Sequence, residues 1–305
     1  MEIHLYSITW NEAAILPFFF RHYDRFVDRY FLFDDGSDDG TLAILAQHPR
    51  VTVRPLPRPF DSYLQSATHL RNHAWKDSRG VADWVIATDI DEHFYHPDMR
   101  GYLESCRAAG VTCIPGLGYQ MLTDTFPDQQ AELARDHRMG APFDDMHKIG
   151  IYNPDAIEET GFVTGRHFGR PTGRVIYPAR DEVLNLHYKY LGLDFVDARQ
   201  QDLIARVGSN AHDQVTLPHW GVGEEQLRSW IAVWSSALVD VTDPAQTTLR
   251  RHRDPHIPSW WRAPPWWRLR PWHLQYWWRK APPWTRHAIG RTRRLLRLPK
   301  MLPQR

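Results

Sequence analysis

Cysteine is scarce in this chain, and long hydrophobic runs are missing. Its 305 residues contain two cysteines, Cys106 and Cys113. Two cysteines cannot form a disulfide framework and lack the paired spacing of a zinc site, which indicates reduced packing residues. No stretch approaches the roughly 20 apolar residues that a membrane-spanning helix needs, and residues 1–9 lack the pattern of a secretory leader. We therefore expect a cytoplasmic protein.

Charge is divided unevenly along the chain, although the net charge is only +1. Residues 250–305 hold 15 Lys or Arg and one acid, whereas residues 1–249 hold 22 basic and 35 acidic residues. Eight of the 14 tryptophans fall between Trp260 and Trp284. Indole rings favour the membrane interface and basic residues attract anionic lipid, so residues 250–305 are predicted to contact an anionic membrane surface. The alternative is that these tryptophans pack on the acidic body, whose charge also argues against nucleic acid as a partner.

Hydrophobic patterning over residues 1–120 alternates between short apolar runs and helical periods, which predicts an α/β fold with a mostly parallel sheet flanked by helices. Strands are predicted at 3–9, 30–33, 51–54, 84–88, 111–114 and 183–187, and helices at 12–23, 40–47, 62–77, 98–109 and 194–207. A boundary is predicted near residue 250, before the Trp- and Arg-rich tail. Because ligands of open α/β sheets bind at the carboxyl ends of parallel strands, the loops there should carry the functional site.

Two carboxylates follow one of these apolar strands. In Trp84-Val85-Ile86-Ala87-Thr88-Asp89-Ile90-Asp91, the strand delivers Asp89 and Asp91 to the ligand edge. Mg²⁺ and Mn²⁺ favour oxygen ligands and often bridge a carboxylate to a diphosphate. The pair therefore suits a metal and phosphate site, although such a spacing also occurs in loops without function.

A second acidic cluster, Asp34-Asp35-Gly36-Ser37-Asp38-Asp39-Gly40, follows another predicted strand, near Trp10-Asn11-Glu12. A carboxylate at a strand end can accept a nucleobase N–H or a ribose hydroxyl, and an aromatic ring can stack on a base. A calcium loop counted from Asp35 fails because its twelfth position is Ala46 rather than Glu. A turn that caps the helix beginning near Gly40 is a further explanation for Asp39.

The three motifs TWNE, FDDGSDDGT and DWVIATDIDEHF, in this order, resemble family 2 glycosyltransferases of the GT-A fold, in the bacterial branch whose metal motif is DIDE. The resemblance covers about residues 3–220. It implies a Rossmann-like GT-A domain over residues 1–249, with a nucleotide-binding half at 1–120 and an acceptor-binding half at 121–249. It also implies inverting transfer from a nucleotide-sugar, with a UDP-sugar expected, assisted by Mn²⁺ or Mg²⁺.

The resemblance also implies roles for individual residues. Asp35 would contact the base, Trp10, Asn11 and Glu12 would line the nucleotide pocket, Asp89 would approach ribose and metal, and Asp91 would ligate the metal. The segment His187-Tyr188-Lys189 resembles the HYK segment of that branch, which makes His187 a metal ligand and Lys189 a phosphate partner. Lys148, in Lys148-Ile149-Gly150, is a further candidate for donor binding. The attacking hydroxyl needs a base, for which Asp124 and Asp145 both remain open.

Two other functions compete with this interpretation. A phosphohydrolase could use the first Asp of a DxD motif as its nucleophile, but such enzymes resemble DxDxT, and His93 stands at the last position here. A non-catalytic module, either nucleotide-binding or a membrane-surface adaptor, could retain the pocket without turnover. The acceptor expected from the resemblance is a saccharide or lipid-linked saccharide of surface polysaccharide or glycolipid synthesis.

Overall fold

The structure is a computed structural model that describes residues 1–207, 224–247 and 261. The chain divides into one unit of Met1–Thr248 and another of Leu249–Arg305. The tail predicted to contact a membrane, residues 250–305, lies outside the described residues except for Trp261. Among the described residues, none of the helices combines the length and apolarity that crossing a membrane would require.

The described elements alternate between strands and helices over the first half of the chain. The strands are β1 (Ile3–Thr9), β2 (Arg29–Asp34), β3 (Val51–Pro55), β4 (Trp84–Ala87), β5 (Glu92–Tyr95), β6 (Cys113–Thr123), β7 (Met139–Pro142), β8 (Lys148–Tyr152), β9 (Leu184–Leu191) and β10 (Val239–Asp240). The helices are α1 (Leu16–Tyr23), α2 (Thr41–Gln47), α3 (Tyr63–His73), α4 (Met99–Ala108), α5 (Leu133–Asp136), α6 (Leu193–Val207) and α7 (Glu224–Ser235).

The sheet combines a parallel half with a mixed half. Strands β4, β1, β2 and β3 are adjacent and parallel in that order, so their carboxyl ends share one edge. Strand β8 then pairs antiparallel with β4, β6 with β8, and β7 with β6. Strand β9 lies between β6 and β5. The predicted α/β class, with helices flanking a central sheet, is confirmed.

Helix starts follow local sequence signals. The hydroxyl of Ser62 accepts a hydrogen bond of 3.1 Å from the backbone N–H of Gln65 at the start of α3. At the start of α4, the carboxylate of Asp98 accepts a hydrogen bond of 3.0 Å from the backbone N–H of Gly101. Such caps satisfy backbone donors that the first helical turn leaves unpaired. The predicted helices at 62–77 and 98–109 therefore begin within one residue of their predicted starts, although the first continues after His73 as a 3₁₀ turn, Ala74–Ser78.

The predicted strand at 111–114 differs from the structure in both its extent and its pairing. The run predicted at 111–114 begins at Cys113, continues to Thr123, and pairs antiparallel with β8 instead of extending the parallel half. Gly116 and Gly118 interrupt the apolar pattern of this strand because neighbouring groups leave no room for a side chain at either position. A Cβ at Gly116 would lie 2.7 Å from Cε1 of Phe94, and one at Gly118 would lie 2.4 Å from the backbone oxygen of Phe143. Glycine is retained where neighbouring groups approach the backbone closely.

Candidate active site

The loop after β1 is joined to the loop after β2 by hydrogen bonds of Asn11. Its backbone N–H donates to Oγ of Ser37 at 3.0 Å, its Nδ2 donates to Oδ1 of Asp38 at 2.8 Å, and its Oδ1 accepts from the N–H of Asp38 at 2.9 Å. Asn11 adopts a φ of 50°, a left-handed conformation that asparagine tolerates better than most residues. Its polar atoms therefore hold the two loops together, and these loops, residues 10–12 and 35–38, are called the rim below. Trp10 lies on this rim and is half-buried.

Glu12 connects this rim to a distant helix. Its carboxylate is buried and accepts hydrogen bonds from both terminal guanidinium nitrogens of Arg199 on α6. The distance from Nη1 to Oε2 is 2.7 Å. Its backbone N–H donates to Oγ1 of Thr41 at 2.8 Å. A bidentate Arg–carboxylate pair fixes both orientation and distance. Glu12 thus ties the nucleotide-binding half predicted from the sequence to residue 199.

The two carboxylates that end β2 have different surroundings. Asp34 accepts hydrogen bonds from the backbone N–H groups of Gly36 and Ser37, at 2.9 and 3.1 Å, and from the hydroxyl of Ser37 at 2.6 Å. Asp34 therefore shapes the turn. Asp35 instead pairs with the guanidinium of Arg58, which lies 5.2 Å from the ring centroid of Tyr63.

Asp89, the first carboxylate of the DxD motif, faces three cations. Its Oδ1 lies 2.6 Å from Nη2 of Arg71, and its Oδ2 lies 3.5 Å from Nη2 of Arg166 and 4.0 Å from Nζ of Lys148. Burial acts to raise the pKa of the Asp89 carboxyl, but these cations outweigh it and hold the pKa well below its ordinary value. Asp89 is therefore ionised and already neutralised by protein groups.

Beneath Asp89 lies a buried ion cluster, made of Glu92, Lys148 and Arg166. The exposure of each of these residues is 1 or 2%. The Glu92 carboxylate pairs with Lys148 through Oε1 and with Arg166 through Oε2. Arg166 also donates to the backbone oxygen of Ala87 at 2.6 Å, which attaches the cluster to the end of β4. Burial opposes ionisation, yet the two cations lower the pKa of Glu92.

Asp91, the second carboxylate of the motif, faces His187, and Nε2 of His187 lies 3.7 Å from Oδ2 of Asp91. On β9, His187 lies between Glu92 of β5 and Gln120 of β6 in the strand register. The Gln120 amide Nε2 donates to the backbone oxygen of His187 at 2.9 Å. Its Oε1 therefore points at Nδ1 of His187, at 2.8 Å.

This arrangement fixes the tautomer of His187. Because an amide oxygen can only accept, Nδ1 must carry the proton, and the neutral ring then presents the lone pair of Nε2 toward Asp91. Burial lowers the pKa of His187, although Asp91 acts to raise it. A lone pair facing a carboxylate suits a cation that both can ligate, with Gln120 as the outer partner that metal-ligating histidines usually have.

The side chains around Asp91 provide few ligands for a metal ion. In residues 1–207 and 224–247, His, Cys, Asp and Glu form no group of three or more with the spacing of a metal site. Within those residues, Asp91 and His187 are the pair that could ligate a divalent ion, while Asp89 is occupied by its cations. Two protein ligands fit an ion that completes its coordination with phosphate oxygens and water, as Mg²⁺ commonly does.

The other predicted residues lie at varying distances from this centre. Lys189 is half-buried two residues beyond His187 on β9. Burial lowers its pKa, although Asp91 acts to raise it. The backbone oxygen of Asp145 accepts from Nδ1 of His167 at 2.7 Å. Burial and Lys148 lower the pKa of His167 to about 4, and His167 directly follows Arg166 of the buried ion cluster. Asp124 is exposed, one residue after β6.

Sequence reasoning missed several groups that complete the site. They are Arg58, Arg71, Glu92, Gln120 and Arg199. Glu92 had a usable signal, since it follows Asp91 directly and opens an otherwise apolar strand. Lys148 gave a second signal for this buried ion pair. It begins the apolar run Lys148-Ile149-Gly150-Ile151-Tyr152, and a charge in a buried strand needs a partner of opposite charge. Arg71 and Arg199 carry no such signal, because charged helix residues usually face solvent.

Comparison with known proteins adds one relative in sequence. No protein-family profile matches the chain. A glycosyltransferase family 92 protein of Ricinus communis is 26% identical over 221 residues, which cover 65% of this chain and 36% of the relative. The chain thus spans about a third of the length of that relative.

Solved structures give a weaker likeness. The crystal structure of S. aureus TarS 1–349 has a TM-score of 0.35 and 10% identity, covering 76% of this chain and 78% of that one. The structure of TarS 1–349 in complex with UDP-GlcNAc has the same TM-score and identity, and covers 76% and 79%. Both TM-scores lie below 0.5.

Proposed function

We propose that this protein is a metal-dependent glycosyltransferase that uses a nucleotide-sugar donor. The observation that carries the proposal is the Asp91–His187 pair, oriented by Gln120 at the ligand edge of the sheet. The motif resemblance to family 2 and the relative named as a family 92 glycosyltransferase both favour this class of enzyme. The phosphohydrolase alternative is disfavoured because the three cations around Asp89 would weaken it as a nucleophile.

The metal is proposed to be Mn²⁺ or Mg²⁺, held by Asp91 and His187. When bound, such an ion would offset negative charge on a diphosphate leaving group. The chain itself contributes fixed cations beside that position: Arg71 is only partly buried, with 13% of its side chain exposed, so it can reach a phosphate. Lys148 is buried against Glu92 and acts on a phosphate through its charge at a distance. Preorganised cations lower the barrier most when charge develops in the transition state.

Donor recognition is assigned to the rim. Asp35 is proposed to accept an N–H of the base, with a UDP-sugar as the expected donor, and Arg58 must share or release that carboxylate when a nucleotide enters. Trp10 is the aromatic residue available for stacking. Asn11 and Glu12 act on the shape of this pocket through their bonds to Asp38 and Arg199. Lys189 is a second cation proposed for the phosphates.

Acceptor activation needs a base on the opposite side of the sugar in an inverting reaction. Asp145 is the stronger proposal because its backbone oxygen accepts from His167, the residue that follows Arg166 of the buried ion cluster, and Asp124 is retained as the alternative. The acceptor is proposed to be a saccharide or lipid-linked saccharide in surface polysaccharide or glycolipid synthesis. A membrane-attached acceptor would fit the basic, Trp-rich composition of residues 250–305 on the inner face of the cell membrane.

The deciding experiment measures donor binding and turnover with variants of the Asp91–His187 pair. Nucleotide-sugars are screened with the full chain by thermal shift with and without Mn²⁺, since a ligand at 100 times its Kd stabilises by about 2.7 kcal/mol. The best donor is then assayed for hydrolysis or transfer. Asp91→Asn and His187→Ala should remove the Mn²⁺-dependent part of both signals.

Matched controls are available on the surface. Asp77→Asn makes the same charge change at an exposed ion pair with Arg54, and His73→Ala removes an exposed histidine. Both controls should retain donor binding. If no nucleotide-sugar stabilises the chain with Mn²⁺, the proposed function is wrong. If donors bind but are never consumed, the non-catalytic nucleotide-binding module takes its place.

A further inference from the structure

A second cleft lies on the face of β5 opposite Glu92, since successive residues of a strand point to opposite faces. Helix α1, the segment around α5, strand β5 and the residues next to β7 and β10 surround it. Its volume is about 350 Å³, which is at the lower end of the range of small-molecule sites. The residues that define its chemistry are Arg21, His22, Arg25, His93, Arg135 and Arg138.

Positive charge exceeds negative charge around this cleft by one. Arg25 pairs with Glu132 at 2.5 Å, Arg135 with Asp136 at 2.8 Å, and Arg138 with Asp240 at 3.1 Å. Arg21 instead donates to two backbone oxygens, those of Ala131 at 2.8 Å and Gln129 at 2.9 Å. Carbonyl groups satisfy its donors without neutralising its charge, so the surplus cation is Arg21.

The floor of the cleft is a pair of stacked histidines. The rings of His22 and His93 have centroids 4.6 Å apart and planes inclined by 12°. His22 donates from Nε2 to the backbone oxygen of Phe94 at 2.8 Å. His93 is 2% exposed, and its Nδ1 is buried without a hydrogen-bond partner in the part of the chain that the structure describes. A buried polar atom left unpaired costs free energy, which makes it a signal for a missing ligand or water.

We propose that this cleft binds an oxyanion-bearing small molecule, a phosphate ester or a carboxylate such as a uronic acid, with Arg21 as the charge partner and His93 as a hydrogen-bond partner. One surplus positive charge matches one anionic group. The aromatic side chains of Phe18 and Tyr95, which also line the cleft, offer apolar surface to the rest of the ligand. The proposal does not depend on the proposed transferase activity.

Isothermal titration of the full chain tests the proposal. Inorganic phosphate, glucuronate and neutral glucose are titrated in turn, in metal-free and phosphate-free buffer. One of the two anions should bind saturably at a single site, and glucose should not bind. Stronger binding of phosphate indicates a phosphate ester as the natural ligand, and stronger binding of glucuronate indicates a carboxylate. Arg21→Gln and His93→Phe should each weaken anion binding at least tenfold.

The two variants protect the test against misfolding. Arg21→Gln could loosen the segment that Arg21 braces, whereas His93→Phe keeps an aromatic ring against His22 and removes both nitrogens. Arg54→Gln, an exposed arginine outside the cleft, should bind within twofold of the unchanged chain. Arg71→Gln serves to detect anion binding at the donor edge instead of the cleft. The proposal is overturned if neither anion saturates, if both cleft variants bind normally, or if Arg71→Gln alone abolishes binding.

Discussion

Replacing the buried carboxylate Glu92 with glutamine should destabilise the fold more than any surface charge change. The Glu92 side chain is 2% exposed and pairs with Lys148 and Arg166, whose side chains are 3% and 0% exposed. Glu92→Gln keeps the volume but removes the negative charge that makes burial of two cations tolerable. Asp89 can compensate only in part, because it lies 4.0 Å from Lys148 and 3.5 Å from Arg166 and already pairs with Arg71.

The magnitude follows from the cost of leaving a charge unpaired. Removing one partner of a buried ion pair costs about 3–5 kcal/mol, against a total stability of about 5–15 kcal/mol for a folded domain. Because glutamine can still accept a hydrogen bond, we expect the lower end, about 3 kcal/mol. With a urea dependence of about 1–3 kcal/mol per molar, the unfolding midpoint should fall by at least about 1 M.

Urea unfolding followed by circular dichroism measures this shift. Asp77→Asn is the matched control, because Asp77 forms an exposed pair with Arg54 at 3.3 Å and such pairs contribute about 1 kcal/mol or less. The free energy of unfolding should separate the two variants clearly. Equal shifts for Glu92→Gln and Asp77→Asn would refute the idea that the buried ion cluster stabilises the domain.

Further outcomes are expected. Asp35→Ala should raise KM for the donor about tenfold with little change in kcat, because a base contact is made equally in the ground and transition states; a collapse of kcat alone would assign Asp35 to the chemistry. Asp145→Asn should lower kcat by about 10²–10⁴, and a larger loss in Asp124→Asn would move the base there. Burial lowers the pKa of His22 to about 4, below the ordinary 6.5, so the stability that its neutral form provides is present above pH 6.5 and is lost as pH falls toward 4. His22→Gln should reduce the dependence of the unfolding free energy on pH in this range, as measured by urea titrations. An unchanged dependence on pH contradicts this origin. The full chain should pellet with anionic vesicles at low salt and release at high salt, whereas equal binding to neutral vesicles would contradict a basic membrane contact by residues 250–305.

The parallel half of the fold could be predicted from the sequence because each element there carries its own signal. The predicted strand at 3–9 matches β1, and those at 51–54 and 84–88 differ from β3 and β4 by one residue at one end. These strands are continuous apolar or β-branched runs bounded by turns. Strands β5, β7 and β8 were not predicted, because their pairing is set by distant strands and each has only four or five residues.

The candidate site was predictable where a motif ends a strand and unpredictable where residues meet through tertiary contacts. His187 could be proposed from its segment, but its orientation depends on Gln120, 67 residues away. Arg199 reaches Glu12 across 187 residues. A single sequence contains no record of such pairs, since either residue alone has the appearance of an ordinary strand or helix residue.

The charge distribution explains why Asp89 and Asp91 should not be treated as equivalent. Three cations, Arg71, Lys148 and Arg166, surround two carboxylates, Asp89 and Glu92, so this side of the motif keeps one positive charge for a phosphate. On the other side, Asp91 faces a neutral histidine, and the proposed metal ion would bind its carboxylate. A surplus positive charge beside a proposed metal site favours a metal-bound diphosphate as the ligand. A bare phosphate ester would bring no such metal ion, which is why this arrangement favours a nucleotide-sugar transferase over a phosphohydrolase.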